Sequence, residues 1–345
     1  MQTILITGGA GFIGSHVVRR FVTEYPTYQI VNLDALTYAG NLANLTDIEN
    51  APNYRFVKGD ITDAPFIDKL FKDNDFTGVI HLAAESHVDR SISDPMAFVV
   101  TNVIGTVNLL NAARQCWKGK EEGRRFYHVS TDEVYGELHD PNEFFVETTK
   151  YDPRSPYSAS KASSDHFVRA YQNTYKLPVV ISNCSNNYGP YQHLEKVVPR
   201  FITACILGEP LTVHGQGEAE RDWLFVSDHC LALDKALHAP QEKIQGQVIN
   251  LGTGVSVSVL EIAQKIKKLM NSDSPIQPVG DRPGQVFRHT SSTSKAKELL
   301  GWEATTQFDE GLRQTVEWYQ KNSKWWDKTL WLRKVPIRTA TGKIE

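Results

Sequence analysis

Thr3-Ile4-Leu5-Ile6-Thr7 runs directly into Gly8-Gly9-Ala10-Gly11-Phe12-Ile13-Gly14, and these residues decide the fold. The first five are apolar or β-branched, as expected of a strand buried on both faces. A helical pattern then begins at Phe12 and continues to about Glu24. Gly8, Gly11 and Gly14 stand at spacing three. Such glycines permit a tight turn, close backbone approach to a pyrophosphate, and tight packing of helix on strand. The helix N-terminus offers free N–H groups and a positive dipole end to phosphates.

Working outward, Gln29–Asp34 is the next strand, and Asp34 closes it 20 residues after Gly14. A carboxylate there accepts hydrogen bonds from ribose hydroxyls and repels a 2′-phosphate. Ala35 follows instead of an arginine, so NAD is expected over NADP. Further strands are expected at 54–58, 78–82, 125–130 and 179–183, and Asp60-Ile61, just past the third, is placed to contact adenine. Apolar strands alternating with helical segments make a parallel sheet covered on both faces, a doubly wound, Rossmann-type α/β fold.

The 345 residues suit two units or one large one. Residues 1–187 form the expected dinucleotide unit, with segments returning to it at about 218–250. After residue 184, Gly and Pro clusters mark a smaller interleaved α/β domain at about 188–217 and 251–322, and 222–226 and 247–251 are candidate returning strands. The tail, 323–345, carries Trp325, Trp326 and Trp331 among basic residues and reads as a docking segment or subunit contact. Hydrophobic residues make 41% and charged residues 22%, which excludes a disordered chain. The net charge of −3, with no dominant charge block, argues against nucleic-acid or membrane-surface partners. Cysteines 116, 184, 205 and 230 form no CxxC pair, no signal pattern opens the chain, and no apolar run of about 18 residues is apparent, so a reducing cytoplasm is expected. The histidines show no ligand spacing, and no metal is expected.

Tyr157 and Lys161 lie four residues apart, on one helical face. An ammonium beside a phenol lowers its pKa from about 10, preparing it to take a hydroxyl proton while hydride leaves the same carbon. Ser130-Thr131 ends the preceding strand and supplies a hydroxyl to the same oxygen. Asp132 and Glu133 follow directly. Plain redox chemistry needs neither carboxyl, whereas an elimination needs one base and one acid with separated pKa values. Neighbours on a regular strand face opposite ways, so the backbone must bend here for both to reach one substrate.

The turn 8–14 with Tyr157 and Lys161 resembles the extended short-chain dehydrogenase/reductase family, which modifies nucleotide sugars. Segments 34–40 (DALTYAG), 81–91 (HLAAESHVDRS), 130–136 (STDEVYG), 157–165 (YSASKASSD), 183–190 (NCSNNYGP), Arg221-Asp222-Trp223 and 281–284 (DRPG) narrow the resemblance to its 4,6-dehydratases, from residue 1 to about 320. The resemblance implies that Tyr157, with Lys161 and Thr131, oxidises C4 of a nucleotide-linked glucose onto a tightly held NAD. Glu133 then takes the C5 proton, Asp132 protonates the leaving C6 hydroxyl, and hydride returns to C6. Sequence order alone does not assign base and acid. The same resemblance implies NAD contacts from Phe12, Ile13, Asp34, Ala35, Leu36, Thr37, Leu82, Ala83, Ala84, Glu85, Thr101 and Asn187. Ser86, Thr131 and Asn186 should face the sugar, and Lys196, Val197, Arg221, Asn250, Asp281 and Arg282 the pyrophosphate and nucleoside. A homodimer is implied through helices near 101–114 and 157–173.

Two stretches depart from the family pattern. Thr212-Val213-His214 stands where Pro-aliphatic-Tyr is usual, and Gln285 replaces the histidine after DRPG. Both belong to the nucleoside end, leaving dTDP-glucose and UDP-glucose both open as substrate. A 4-epimerase on the same fold would not need Asp132-Glu133, and an NAD-binding regulator would need neither the acids nor the Tyr–Lys pair.

Overall fold

Every strand expected before residue 184 forms in chain order, within a residue of its expected bounds. The computed structural model describes residues 2–280 and 285–333. Its strands are β1 (Thr3–Thr7), β2 (Gln29–Asp34), β3 (Tyr54–Lys58), β4 (Gly78–His81), β5 (Arg125–Thr131), β6 (Val179–Cys184), β7 (Asn186–Tyr188), β8 (Leu211–His214), β9 (Glu220–Phe225), β10 (Val248–Leu251), β11 (Ser256–Ser258), β12 (Ile276–Val279) and β13 (Arg288–His289). The main sheet is wholly parallel in the order β10-β6-β5-β4-β1-β2-β3.

Alternation along β1 shows why the strand is apolar throughout. Ile4 and Ile6 pack with Val17, Val18 and Phe21 on one face, while Leu5 packs with Leu109, Leu110 and Ala113 on the other. The order reverses between β1 and β4, and loops at the carboxyl ends of these strands open a crevice there.

The expected return at 247–251 occurs, since β10 lies parallel beside β6. The segment at 222–226 does not join the main sheet. Its β9 pairs with β7, β11 and β13, because Asp222 accepts the Thr253 and Gly254 amides at 2.9 Å and ties β9 to the turn before β11. What returns there is helix Val226–His238, whose Cys230, Leu233 and Ala236 pack into the main core. Ala296 and Trp302 also join that core, later than expected for the dinucleotide unit. A separate core around Phe201, Ile202, Trp223, Ile266, Leu312 and Tyr319 holds the smaller unit, and Trp326 of the tail belongs to it.

Helix Pro95–Trp117 runs through a π-helical stretch, Val99–Gly105. By length and composition it is long and apolar enough to cross a membrane, which the sequence reading did not anticipate. In the fold, 44% of its most apolar window is buried, and it packs along helix Pro156–Tyr175.

Candidate active site

One cavity of about 500 Å³ runs from the glycine turn to the end of β5 and on into the smaller unit. Gly8 has φ +73°, and a Cβ there would stand 2.7 Å from the Ala83 nitrogen. A Cβ on Gly14 would stand 2.0 Å from the Gly8 carbonyl oxygen, so the helix start sits directly on the strand end. At Gly11 a Cβ would meet only that carbonyl, at 3.3 Å, and would otherwise project into open space. Helix Phe12–Glu24 begins with no side-chain cap, which leaves its first N–H groups for a ligand. Asp34 accepts from the Ala10 amide at 2.9 Å and the Leu36 amide at 2.8 Å. Burial pushes its pKa up, and the two amides oppose that shift. Each oxygen keeps a lone pair for a ribose hydroxyl. An open glycine cradle, an uncapped helix and a positioned carboxylate fit a dinucleotide.

The cavity wall includes Gly8, Gly11, Phe12, Ile13, Gly14, Asp34, Ala35, Thr37, Asp60, Ile61, Leu82, Ala83, Ala84, Glu85, Thr101, Tyr157, Lys161 and Asn187 of the expected cofactor residues. Leu36 is off the wall, in a left-handed turn at φ +55°. Ser86, Thr131, Asn186, Lys196, Val197, His214, Arg221 and Gln285 line the cavity as expected of substrate residues. Thr212 and Asn250 do not. Asn250 is fully buried, receiving the Tyr135 hydroxyl and donating to the Phe145 carbonyl, so its amide is committed to the scaffold. Asp281 and Arg282 lie outside the described residues.

At the catalytic corner β5 ends at Thr131, whose hydroxyl accepts the Glu133 amide at 3.3 Å and starts a 3₁₀ turn, Asp132–Tyr135. The turn supplies the required bend and gives the two acids different surroundings. Glu133 lines the cavity, whereas Asp132 is fully buried behind it, with no hydrogen bond to either carboxyl oxygen. Burial, then the charges of Glu133 and Asp222, hold the Asp132 carboxyl well above the usual carboxylate range. Asp132 is therefore not a wall residue in this arrangement, because the turn directs it inward.

Helix Pro156–Tyr175 starts with Pro156 at its first position and a Ser155–Ser158 capping box. Tyr157, Lys161 and Asp165 follow one another along one face. The buried Lys161 ammonium donates to the Val129 carbonyl at 2.8 Å. Burial lowers its pKa, and the nearby Asp165 charge opposes that. Asp165 accepts from the Ser130 hydroxyl at 2.8 Å and the Tyr151 hydroxyl at 3.0 Å, with His128 Nε2 3.2 Å from its other oxygen. Burial pushes Asp165 up to about 6. The expected lowering of the Tyr157 phenol is not found: burial and then the Glu133 charge hold it well above 10, with a hydrogen bond to Thr131 opposing.

In the smaller unit, Arg221 donates to the Glu220, Phe287 and Val286 carbonyls at 2.7, 3.2 and 2.9 Å. Lys196 Nζ donates to the Ser86 carbonyl at 3.0 Å, and His214 Nδ1 to the Gly280 carbonyl at 2.9 Å. Sequence reasoning missed Tyr38, His193, Tyr191, Trp325 and Leu332, all on the wall. Tyr38 lies inside the quoted DALTYAG stretch, and the tandem Trp325-Trp326 was the available signal for the tail. Among the described residues, no group of three or more His, Cys, Asp or Glu side chains could hold a metal ion.

The family profile described as GDP-mannose 4,6 dehydratase matches residues 5–315. A dTDP-glucose 4,6-dehydratase of Neisseria meningitidis is 45% identical over 359 residues, covering 99% of this chain and 100% of that protein. The dTDP-glucose 4,6-dehydratase of Streptomyces venezuelae, solved with NAD bound, superposes with TM-score 0.88 at 40% identity, covering 95% of this chain and 99% of that one. A UDP-glucose 4-epimerase of Thermotoga maritima also superposes, with TM-score 0.85 at 31% identity, covering 93% of this chain and 100% of that one.

Proposed function

The chain belongs to the dTDP-glucose 4,6-dehydratases of the extended short-chain dehydrogenase/reductase family, and from that premise we propose how its own residues divide the work. It is an NAD-dependent hydro-lyase that converts dTDP-glucose to dTDP-4-keto-6-deoxyglucose. When bound, NAD supplies the reversible two-electron acceptor that C4 oxidation and C6 reduction require. The fit to NAD rests on the glycine cradle, the uncapped helix and Asp34.

Tyr157 takes the C4 hydroxyl proton once ionised, against burial and the Glu133 charge and with the Thr131 hydroxyl favouring the anion. Lys161, one helical turn away, is the positive charge this chain offers the phenolate. The C4 ketone acidifies C5–H, and Glu133, on the wall, removes that proton. Asp132, kept protonated by burial, turns about its Cα–Cβ bond toward the cavity and protonates the departing C6 hydroxyl. The single observation that carries this division is the 3₁₀ turn, which places adjacent carboxyls in opposite environments, the arrangement an acid–base pair requires. A 4-epimerase has no use for it.

The test is incubation with dTDP-glucose and with UDP-glucose separately, following product mass and solvent deuterium at C5. A product lighter by one water, with deuterium at C5, supports the reading. A product of unchanged mass and inverted C4 overturns it. Arg221 and Lys196 are proposed to meet the pyrophosphate, and His214 and Gln285 the base. We place the enzyme in the cytoplasm, where its four free cysteines stay reduced. We also propose a homodimer. Met96, Val100 and Ile104 stand exposed at spacing four along helix Pro95–Trp117, and Phe167 is exposed on helix Pro156–Tyr175, which packs against it. An Ile104→Glu variant that sediments as a monomer, against a dimeric parent, supports that assembly.

A further inference from the structure

The tail ends its described course as a short helix, Ser323–Trp326, and a 3₁₀ segment, Asp327–Arg333. Neither was absorbed by the reaction, yet both touch its cavity: Trp325, Thr329 and Leu332 form part of the wall. The segment is anchored in the smaller unit. Trp326 is buried and donates its indole N–H to the Tyr319 carbonyl at 2.8 Å, and Arg333 pairs with Glu209 at 2.6 Å.

Trp325 points the other way, into the dinucleotide unit. Its indole N–H donates to Asn44 Oδ1 at 2.9 Å, and Asn44 Nδ2 donates to the Ala10 carbonyl at 2.9 Å. Ala10 belongs to the glycine turn, and its own amide holds Asp34 at 2.9 Å. Asn44 is buried, so both ends of its amide need partners, and Trp325 supplies one of them. The chain of contacts thus runs from the tail to the carboxylate read as the ribose anchor.

A second set of contacts grips the same helix start. The Trp325 ring lies 5.0 Å from Trp318 and 5.7 Å from Tyr191. Tyr191 in turn meets His16 edge-on at 5.8 Å and the Arg19 guanidinium at 5.2 Å, on helix Phe12–Glu24. His16 Nε2 donates to the Pro190 carbonyl at 3.0 Å. Tyr191 sits at φ +66°, a left-handed conformation that a tyrosine keeps only when its surroundings enforce it.

We propose that residues 323–333 are a clasp that holds the NAD cradle in its binding shape, with Trp325 a positioning residue acting through Asn44 and Ala10. The clasp suits a reaction with no net redox change: the reduced cofactor must survive between C4 oxidation and C6 reduction. The inference rests on the glycine turn as the NAD site, and the test separates the two.

Full-length parent, Trp325→Phe, Trp325→Ala, Asn44→Ala and the Trp325→Phe/Asn44→Ala double variant are purified, and NAD occupancy, NAD dissociation rate and melting midpoint with and without NAD are measured. Trp325→Phe keeps an aromatic ring of smaller size and loses one hydrogen bond, so NAD release should quicken about fivefold, and Trp325→Ala more. The double variant should release NAD no faster than Asn44→Ala alone, because both act through one contact. The NAD-free midpoint of Trp325→Phe should fall modestly, since Asn44 Oδ1 loses its partner, and the NAD-induced rise should shrink in addition. Parental release rates in Trp325→Ala, or midpoints lowered equally with and without NAD, overturn the clasp and leave a packing role. A parent that binds no NAD overturns the cradle instead.

Discussion

At the proposed catalytic end of the cavity burial dominates the protonation of the polar groups; at the proposed nucleoside end main-chain carbonyls hold the donors in place. Asp132, Lys161 and Asp165 are each buried, and burial is the largest cause of each one's shifted pKa. Arg221, Lys196 and His214 instead spend donors on the carbonyls of Val286, Ser86 and Gly280. On the proposed function, the first arrangement sets which groups carry protons and the second positions the nucleotide. Substitutions should therefore alter the rate of chemistry at one end and affinity at the other.

The largest effect belongs to Tyr157→Phe. Removing the proton acceptor for C4 oxidation should cut kcat by about 10³-fold or more, read as lost product and lost transient NADH absorbance. Glu133→Gln comes next. It should still generate NADH in a single turnover yet yield dehydrated product at least about 10²-fold more slowly. Full-rate product from that variant would remove Glu133 as the base and, with it, the contrast between the two acids.

Asp132→Asn separates chemistry from stability. The folded-state pKa of Asp132 is raised, so the folded form binds the proton more tightly than the unfolded one. Its contribution to stability is thus best at low pH and declines as pH rises from about 4 toward the raised value. Asparagine has no such dependence. The variant should lose dehydration while its melting midpoint gains on the parent's as pH increases from 5 to 8. A constant difference across that range would mean that Asp132 ionises normally.

Asp165→Asn should be milder, because it removes a charge that favours the Lys161 ammonium but leaves Tyr157, Glu133 and Asp132 in place. The parent's activity should fall as pH drops below about 6, where Asp165 takes up a proton, and the variant should lack that limb. An identical pH profile in both would show that Lys161 does not depend on this carboxylate.

The dinucleotide half was legible because local rules determine it. The apolar run 3–7, three glycines and Asp34 each imply their own geometry, and the strands followed within a residue. The catalytic four-residue spacing of Tyr157 and Lys161 was equally local. The protonation of the site was not, since the pKa of Tyr157 depends first on burial and then on the Glu133 charge, which only the folded chain brings together. Asn250 shows the same limit: a polar residue at a strand end reads as a ligand contact until Tyr135 and Phe145 are found holding it. The strand at 222–226 went to the smaller sheet because of Asp222 and a turn some 30 residues on, a pairing without local signal.

The smallest effect sharpens the contrast most. His214 is half-buried on the wall, its ring fixed by the Gly280 carbonyl, in one of the two stretches that depart from the family pattern. dTDP-glucose and UDP-glucose differ by the base methyl and by the ribose 2′-hydroxyl, and recognition of the methyl alone is worth about tenfold in an apolar contact. The base methyl should therefore contribute about that factor to a preference for dTDP-glucose over UDP-glucose in kcat/KM, mostly through KM. His214→Ala removes the ring and should reduce that contribution to about twofold, raising KM for dTDP-glucose more than for UDP-glucose. If it instead lowers kcat as far as Glu133→Gln does, with KM unmoved, then His214 reaches the reacting sugar. The nucleoside end would then share in the chemistry, and the division between the two ends would fail.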